Sequence, residues 1–509
     1  MNTRLTLRQL LSVGRDDAIA IAAPGAKELT YGALRSQVAE TVAAFNGVGI
    51  GVCNRVAIVL PNGPEMATLF LAVASAAASA PLNPGYRGEE FEFYLTDLEP
   101  KVLIVESGST SPVVEIAKKL KIPTLVLHPH PELGAGRYSL DMAKMSNDAT
   151  SSTREMSGAE NIALVLHTSG TTSRPKIVPL SQRNICASAH NIRQSLSFTA
   201  SDRGLNVMPL FHIHGIIAAV LAPLSAGSSV FCTPGFNGLK FFSWMEAAKP
   251  TWYSAVPTMH QAILTRARQN AAVIAANKLR FIRSSSSSLP PQVLAELEET
   301  FGCPVVEAYG MTEAAHQMAC NPLPPGIRKP GTVGCGVGVD VAIMDERGIL
   351  VPAGVTGEIV VRGDNVTSGY VNNPKANAEA FTNGWFRTGD QGVQDSGGYV
   401  SITGRLKEII NRGGEKISPR EIDEVLMDHP AVQQVVTFGI PHEKLGEEVG
   451  AVIVLHEGMA ASERELRDFV GARVADFKVP RKLIFMDEIP KGATGKLQRI
   501  GLAQKLGLG

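Results

Sequence analysis

The stretch Thr168-Ser-Gly-Thr-Thr-Ser-Arg-Pro-Lys176 follows directly after the apolar run Ile162–Leu166. It is rich in hydroxyl side chains and also holds glycine and lysine, and these residue types suit phosphate. Hydroxyl and backbone N–H groups donate to phosphate oxygens, Gly170 lets the backbone come close, and Lys176 adds a positive charge. The stretch therefore predicts a phosphate-binding loop at the end of a strand.

Two alternatives compete with this interpretation. A Walker loop needs the pattern Gly-x4-Gly-Lys-Ser/Thr opening into a helix, but here Pro175 precedes Lys176 and Ile177–Leu180 has the composition of a second extended segment. A solvated Ser/Thr turn between two strands stays open for a loop taken alone. Residues further along the chain are needed to choose between a plain turn and a phosphate site.

Length and composition exclude several classes of protein. The chain has 509 residues, far above the ~250–300 at which one core stops growing, so two or more domains are expected. Its formal net charge of +0 gives no bias toward polyanions, so nucleic acid is not an expected partner. The 6 cysteines show neither paired spacing nor a C-x-x-C motif, which indicates reduced thiols in a reducing compartment.

The sequence also predicts a cytoplasmic protein with no membrane span. The longest apolar stretches, Leu69–Ala80 and Ile216–Gly227, are shorter than the ~20 residues that cross a bilayer. The amino terminus is too polar for a signal peptide, and the carboxyl terminus lacks a peroxisomal Ser-Lys-Leu. Monomer and homodimer both stay open.

The first part of the chain has the pattern of an α/β fold. Up to about residue 335, short apolar runs alternate with helical patterns. These runs are Val56–Leu60, Lys101–Val105, Thr124–Leu127, Ile162–Leu166 and Ser229–Cys232. Beyond Pro330–Gly334, β-rich runs separated by Gly, Asp and Asn turns predict a small barrel or meander over about 336–403. We therefore expect a large N-terminal domain over 1–403, with two α/β subdomains and a small β-barrel.

A second unit is expected over residues 404–509. Its pattern reads helix, strand, strand, helix, strand, with capping boxes at Ser418–Glu421 and Ser462–Glu465. The predicted strands are Val435–Ile440, Val449–Leu455 and Leu483–Met486. A unit of this size is better suited to a mobile α+β lid than to independent catalysis.

Five further stretches support phosphate binding by the first loop. They are Tyr309-Gly-Met-Thr-Glu313, Trp385-Phe-Arg-Thr-Gly-Asp390, Gly404-Arg-Leu-Lys-Glu408, Gly413-Gly-Glu-Lys416 and Pro490-Lys-Gly-Ala-Thr-Gly-Lys496. In this order, and over essentially the whole chain, they resemble the adenylate-forming superfamily of acyl-CoA synthetases, carrier-loading adenylation domains and luciferases. The resemblance implies that a carboxylate attacks the α-phosphate of ATP to give an acyl-adenylate, and that a thiol then displaces AMP. ATP, Mg²⁺ and coenzyme A are thereby implied.

The resemblance also implies roles for individual residues. Lys496 would bridge the carboxylate and α-phosphate oxygens, while Glu313 would hold Mg²⁺ and Thr312 would donate to phosphate. Asp390 would accept from the ribose hydroxyls with Arg405 nearby, and Tyr309 would stack on adenine. The residues implied for the β- and γ-phosphates are Thr168, Ser169, Gly170, Thr171, Thr172 and Lys176.

A hinge is implied at Lys407, about which the small domain would rotate between the two half-reactions. After the rotation, Gly413, Gly414, Glu415 and Lys416 would line the pantetheine channel. The two glycines would permit the close approach.

Two stretches bear on the acid. Phe211–Gly215 stands where the superfamily has a gate beside the acyl pocket, and His212 and His214 would face opposite sides if that piece were extended, so that at most one faces the substrate. Ser284–Ser288 stands at one pocket wall, and a hydroxyl-lined wall suits a small polar acid.

A finer resemblance connects the chain to the oxalate–CoA ligases of plants and fungi. It rests on 167–176, 252–258, 281–284, 307–309, His316, 321–324 and 411–419. In that group a serine and a histidine hold the distal carboxylate, and the matching residues here are Ser286 and His316. A partly protonated imidazole would supply one donor.

Other acids and other functions stay open. Malonate–CoA ligases tend to carry Arg where this chain has Ala308, which argues against malonate. A broader short-chain, dicarboxylic or aromatic acyl-CoA synthetase and a free-standing carrier-loading enzyme remain alternatives. Ile177 follows Lys176 where Gly is commonest, which bears on the flexibility of the loop.

Overall fold

The computed structural model describes residues 5–142, 145, 157–168, 175–490, 497 and 499–508. Five residues predicted for the site, Ser169, Gly170, Thr171, Thr172 and Lys496, lie outside the described residues. Strands and helices alternate through the first part of the chain, as the apolar runs predict.

The strands are β1 Ile19–Ala22, β2 Leu29–Thr30, β3 Arg55–Val59, β4 Ala78–Pro81, β5 Val102–Glu106, β6 Thr124–Pro129, β7 Tyr138–Leu140, β8 Ile162–Thr168, β9 Lys176–Ser181, β10 Arg203–Asn206, β11 Ser229–Cys232, β12 Trp252–Ala255, β13 Phe281–Ser285, β14 Val305–Met311, β15 His316–Cys320, β16 Cys335–Gly336, β17 Asp340–Met344, β18 Gly357–Arg362, β19 Phe381–Thr382, β20 Trp385–Gln394, β21 Val400–Arg405, β22 Ile410–Arg412, β23 Glu415–Ile417, β24 Val432–His442, β25 Gly446–Leu455 and β26 Lys482–Phe485.

The α-helices are α1 Leu7–Leu11, α2 Tyr31–Gly47, α3 Pro64–Ala76, α4 Gly88–Leu98, α5 Val113–Lys119, α6 Gln182–Ser195, α7 Ala222–Leu224, α8 Phe241–Ala248, α9 Pro257–Ala267, α10 Ala271–Ala276, α11 Pro291–Phe301, α12 Pro374–Ala380, α13 Pro419–Met427, α14 Glu463–Gly471 and α15 Leu502–Lys505. A π-helix covers His214–Leu221, and single turns of 3₁₀-helix cover Arg268–Asn270, Thr312–Ala314 and Asp476–Lys478. No helix in the described ranges is both long enough and apolar enough to cross a membrane.

Two mostly parallel sheets form the α/β part. The nine-stranded sheet has the order β16-β15-β14-β13-β12-β10-β11-β1-β2, and the seven-stranded sheet has the order β7-β6-β5-β3-β4-β8-β9. Their central strands are buried on both faces because helices cover them, which explains the continuous apolar runs. The expected mixed α/β class is confirmed.

The carboxyl ends of three neighbouring strands in the nine-stranded sheet determine where a site can form. The register pairs Ala255 of β12 with Ser284 of β13, and Ser285 with Ala308 of β14. In an α/β sheet, ligands bind in the crevice beyond these carboxyl ends. The loops that follow β12, β13 and β14 therefore meet at one edge.

A five-stranded antiparallel sheet, β17-β18-β20-β19 with β21 on β20, forms the β-rich part that the sequence predicts. Its register places Asp390 of β20 directly opposite Arg405 of β21. These two residues, 15 positions apart in sequence, are thus fixed side by side.

The last sheet, β23-β22-β25-β24 with β26 on β25, carries α13 and α14. The short hairpin β22–β23 was not predicted. Its two-residue turn, Gly413-Gly414, has φ of 62° and 98°, and such positive values at both positions favour glycine. Beyond the hairpin, the order helix, strand, strand, helix, strand agrees with the prediction.

The two predicted capping boxes differ in outcome. Ser462 and Glu465 form the reciprocal pair at the start of α14, as expected. Ser418 makes no side-chain cap on α13, so that prediction is wrong. Its hydroxyl donates instead to the backbone oxygen of Thr403, and Glu421 binds Lys478 at 2.7 Å. Tertiary partners on neighbouring elements thus displace the local cap.

Candidate active site

A cavity of about 390 Å³ lies beyond the carboxyl ends of β12, β13 and β14. Three parts of the chain line it. They are the ends of these strands, including Ser284, Ser286 and 307–310; the antiparallel sheet, with Asp390 and Arg405; and the C-terminal unit, with Arg420, Asp423, Leu497 and Arg499. Of the residues predicted for the nucleotide, Tyr309, Asp390 and Arg405 border this cavity, and Ser286 of the predicted acid pocket borders it too.

One wall of the cavity is built around Asp390. The hydroxyl of Tyr309 donates to Asp390 Oδ2, and Arg405 Nε donates to Oδ1 at 2.9 Å. Asp390 is only 6% exposed. The negative charge of its carboxylate raises the pKa of Arg405 above the usual range. Burial raises the pKa of Tyr309 well above its ordinary value, so the hydroxyl keeps its proton. The site therefore holds a fixed, doubly hydrogen-bonded carboxylate.

Glu313 lies in the 3₁₀ turn that follows β14, next to Thr312, and is 6% exposed. Burial raises the pKa of its carboxyl group, while the Tyr370 hydroxyl and the charges of Arg405 and Lys176 act in the opposite direction. Tyr370 donates to Glu313 Oε1 at 2.9 Å. The buried carboxylate is thus held by a donor and faces positive charges.

Lys176 connects the end of the phosphate-loop stretch to this group. Its Nζ lies 4.4 Å from the centroid of the Tyr370 ring, and its backbone pairs with Thr168 where β8 and β9 meet. The cation lies within the distance for a cation–π contact. The two described ends of the predicted loop therefore lie side by side, close to Glu313.

Sequence reasoning missed Tyr370. It stands in an otherwise polar stretch, Thr367-Ser-Gly-Tyr-Val-Asn-Asn373, and a lone aromatic residue among turn formers is the signal that could have identified it. Thr367 reinforces the contact because its backbone N–H donates to the Glu313 backbone oxygen at 2.7 Å.

The residues at Glu313 fit a divalent cation of the Mg²⁺ type. A carboxylate oxygen is the ligand that such a hard cation prefers, and one protein carboxylate with phosphate oxygens and water is a common set. Among the described residues, no group of three or more His, Cys, Asp or Glu side chains lies close enough to hold a metal by itself. A cation here would depend on the phosphates of a nucleotide.

The segment Phe211–Gly215, predicted as a gate beside the acyl pocket, is not extended. His214 opens the π-helix His214–Leu221, and its backbone N–H donates to Nδ1 of His212 at 3.2 Å. Because the chain turns into a helix here, the two rings do not alternate across a strand. His214 is fully buried beside the pocket, whereas His212 is half-buried.

A polar chain leads from His214 to the cavity. His214 Nδ1 lies 3.1 Å from Ser286 Oγ, and His214 Nε2 lies 2.6 Å from Ser254 Oγ. The His214 ring stacks on His316 with centroids 4.8 Å apart. Of the four residues predicted for the acid, Ser286 lines the cavity, and His214 and His316 lie behind it.

Two of these residues have unusual backbones. Ser286 has φ of 75° and His316 has φ of 96°, in a region that favours glycine. Such conformations are typical of functional sites, where the surrounding structure holds them. Gly310 permits the bend at His316, since a Cβ on Gly310 would lie 1.9 Å from the His316 backbone oxygen.

Arg283 was also missed as a site residue. It is fully buried in β13, where its Nη2 donates to His316 Nε2 at 3.1 Å and its Nη1 donates to His214 Nε2 at 3.2 Å. Burial lowers its pKa to about 10, so it stays a cation at neutral pH. Because a guanidinium only donates, Nε2 of each ring is the acceptor in these two hydrogen bonds. A charged residue within the apolar run Phe281-Ile-Arg was the available signal.

The residues predicted for the second half-reaction lie away from the cavity. Lys407 is exposed, and Lys416 Nζ lies 3.7 Å from Glu346 on the surface. None of Gly413, Gly414, Glu415 or Lys416 is among the described residues that line the cavity. Leu497, which follows Lys496 in sequence, does line it, and Arg499 is held there by Glu408 at 2.7 Å.

The cavity between the α/β strands and the small α+β unit, with the buried carboxylate of Glu313 near Lys176 and Arg405, agrees with the class that the sequence motifs predict, the adenylate-forming enzymes. The family described as AMP-binding enzyme matches residues 12–371, and the AMP-binding enzyme C-terminal domain matches residues 421–496.

Relatives with known names and solved structures support the same class. The chain is 45% identical over 496 residues to an oxalate–CoA ligase of Arabidopsis thaliana, covering 96% of this chain and 95% of the relative. It is 43% identical to an oxalate–CoA ligase of Saccharomyces cerevisiae, covering 88% and 86%. The crystal structure of ATP-bound MatB from Rhodopseudomonas palustris superposes with a TM-score of 0.88 at 31% identity over 99% of each chain. The chain belongs to the AMP-binding enzyme family, and it is an AMP-forming ligase that joins an acid to CoA with ATP.

Proposed function

We propose that the acid is oxalate, so that oxalate, ATP and CoA give oxalyl-CoA, AMP and pyrophosphate. The observation that carries this proposal is the polar chain Ser254–His214–Ser286, which ends in the cavity at Ser286. A small acid with two carboxylates needs such donors at its far end, whereas an apolar tail would leave them unpaired. The names of the relatives from Arabidopsis thaliana and Saccharomyces cerevisiae support the same acid.

The first half-reaction brings two anions together. A carboxylate oxygen attacks the α-phosphorus of ATP, and the bond to the bridging oxygen of pyrophosphate breaks. Cations must lie where the charge accumulates, and Lys176, Arg405 and Lys496 are the residues proposed for this. The loop residues Thr168 to Thr172 would bind the leaving pyrophosphate.

Asp390 and its neighbours would orient the nucleoside. With both carboxylate oxygens already hydrogen-bonded by Tyr309 and Arg405, Asp390 is rigid and can accept ribose hydroxyls in a fixed direction. The anchored hydroxyl of Tyr309 also fixes its ring, which we propose as the stacking surface for adenine.

Mg²⁺, when bound, would neutralise charge on the phosphate oxygens. Glu313 would hold it, and Tyr370 keeps that carboxylate oriented through the 2.9 Å hydrogen bond. Thr312, in the same turn, would donate to phosphate.

The second half-reaction needs a different surface at the cleft. A thiol attacks the acyl carbon of the adenylate, and AMP leaves with the oxygen that joined it to the acid. We propose that rotation about Lys407 brings Gly413, Gly414, Glu415 and Lys416 to the cleft, and that 404–509 moves as one domain against 1–403. The 3.7 Å contact between Lys416 and Glu346 is exposed, so breaking it costs little.

A panel of acids tests the proposed substrate. Pyrophosphate release is measured with oxalate, malonate, acetate, octanoate and 4-coumarate, with and without CoA, for the wild-type protein and for His316→Ala. Oxalate is expected to give the highest kcat/KM, and His316→Ala is expected to lower it without raising the KM for ATP. Preference for octanoate or 4-coumarate would reject oxalate and leave the ligase class intact.

A further inference from the structure

Arg283 lies behind the acid pocket and has an unusual set of partners. Its four hydrogen-bond acceptors are His214, His316, Ser254 and Gln317, at 3.1 to 3.3 Å. Within the described ranges none of these acceptors is a carboxylate, and the Nε atom has no partner. A fully buried guanidinium without a counter-ion is costly, because it loses its hydration without gaining a paired charge.

Arg280, three residues earlier, shows the ordinary arrangement. Its Nε lies 3.0 Å from Asp202 Oδ1, and its Nη2 lies 3.1 Å from Oδ2. Arg280 lies just before β13 and Arg283 lies within it. Among the described residues, only Arg280 has a carboxylate partner. The missing negative charge at Arg283 therefore calls for a ligand that supplies it.

The hydrogen bonds of Arg283 also fix the protons on the two histidine rings. Because guanidinium N–H groups only donate, Nε2 of His214 and Nε2 of His316 must both accept. A neutral ring that accepts at Nε2 carries its proton on Nδ1. His214 thus donates from Nδ1 to Ser286 Oγ, and the Ser286 hydroxyl hydrogen is left to point into the cavity.

We propose that Arg283 is a positioning and specificity-determining residue, which sets both histidines in the Nδ1–H form and places an uncompensated positive charge behind Ser286 to select acids with a second carboxylate. This inference rests on the proposed function. The mechanism acts through Ser286 and the two rings, since Arg283 itself does not line the cavity. A monocarboxylic acid has no second carboxylate for this charge to attract, whereas a dianion gains that additional attraction in a poorly screened interior.

The tautomers can be measured directly. Protein labelled with ¹⁵N-histidine is examined by long-range ¹H–¹⁵N correlation, and the two signals are assigned by their loss in His214→Gln and His316→Gln. Both rings are expected in the Nδ1–H form. An Nε2–H form at either ring in the wild-type protein would overturn the proposal, whether or not any Arg283 variant folds.

A second experiment measures selectivity between a dicarboxylic and a monocarboxylic acid. The ratio of kcat/KM for oxalate to that for acetate is compared in wild type, Arg283→Met, Arg283→Lys and the matched control Arg280→Met. Arg283→Met is expected to lower the ratio by ~10-fold or more, because donors and charge are lost together. Arg283→Lys should recover part of the ratio, and Arg280→Met should lower the unfolding temperature but keep the ratio.

The outcomes separate the two proposals. An unchanged ratio in folded Arg283→Met, or an equal loss in Arg280→Met, would overturn the inference while oxalate stays the substrate. If wild-type protein prefers a monocarboxylic acid, the proposed function fails and the selectivity part of the inference fails with it. The tautomer measurement still decides whether Arg283 positions the rings.

Discussion

Tyr370 donates its hydroxyl hydrogen to Glu313 Oε1 at 2.9 Å while its ring faces the Lys176 ammonium group, 4.4 Å from the ring centroid. One aromatic side chain thereby joins the carboxylate proposed to hold Mg²⁺ to the lysine proposed to bind phosphate. The hydroxyl stabilises the ionised form of Glu313 against the burial that raises its pKa. Tyr370 is therefore expected to matter for adenylate formation although no motif identified it.

Replacing Tyr370 by Phe should weaken this arrangement. Without the donor, the pKa of Glu313 rises further, so the acidic limb of the pH–rate profile for pyrophosphate exchange should move to higher pH. We expect kcat/KM for ATP to fall by about 10-fold or more, since a hydrogen bond to a charged group contributes ~1.5–3 kcal/mol.

Tyr399 offers a matched control for that experiment. Its hydroxyl donates to the Ile327 backbone oxygen at 2.6 Å and Lys329 Nζ lies 4.1 Å from its ring centroid, but it does not line the cavity. Tyr399→Phe should leave the profile unchanged. A wild-type acidic limb in Tyr370→Phe would show that the contact has no part in catalysis.

Glu307 should make stability depend on pH. Burial raises its pKa from 4.5 to about 7, and its Oε2 has no partner among the described residues. Since the folded-state value lies above the unfolded one, the folded state binds more protons between these values, and the free energy of unfolding falls as pH rises through this window. The whole effect is at most about 3 kcal/mol.

Urea unfolding of the nucleotide-free protein between pH 4.5 and pH 8 measures this effect. Glu307→Gln removes the titrating group and should flatten the decrease. The same slope in wild type and variant would mean that folding does not raise the pKa of Glu307.

Lys496 should be needed in only one half-reaction. Leu497 and Arg499 border the cavity, and Arg499 is held by Glu408 at 2.7 Å and by the Thr437 backbone oxygen at 2.6 Å, so the chain just after Lys496 is anchored there. We expect Lys496→Ala to lower adenylate formation by ~100-fold or more. Thiolysis of supplied oxalyl-adenylate should stay largely intact.

Lys491, at the start of the same Gly-rich stretch, is the control for Lys496. Lys491→Ala should retain both half-reactions. Equal loss of adenylate formation and thiolysis in Lys496→Ala would contradict the assigned role, because the residue would then serve folding or both steps alike.

The sequence predicted those parts of the site that depend on local pattern. The apolar run Ile162–Leu166 became β8, and the motifs that contain Tyr309 and Asp390 border one cleft, because β14 and β20 carry these two side chains to it. Such information is contained in a few consecutive residues. These patterns could therefore be recognised in the sequence without the structure.

The missed features depend on contacts between distant segments. Arg283 contacts rings on the π-helix and on β15, and Tyr370 reaches Glu313 across 57 positions of sequence. Ser418 was predicted to cap a helix, but the backbone oxygen of Thr403 competes for its hydroxyl. The hairpin β22–β23 has strands of only 3 residues, too short for a periodic pattern.

The most direct test of the central claim follows oxygen from the acid. Fully ¹⁸O-labelled oxalate is incubated with the protein, ATP and CoA, and the products are weighed by mass spectrometry. If the acid attacks the α-phosphate and the thiol then displaces AMP, the AMP carries one labelled oxygen and oxalyl-CoA retains the other three. Label in pyrophosphate or inorganic phosphate, or oxalyl-CoA formed with unlabelled AMP, would contradict the acyl-adenylate route.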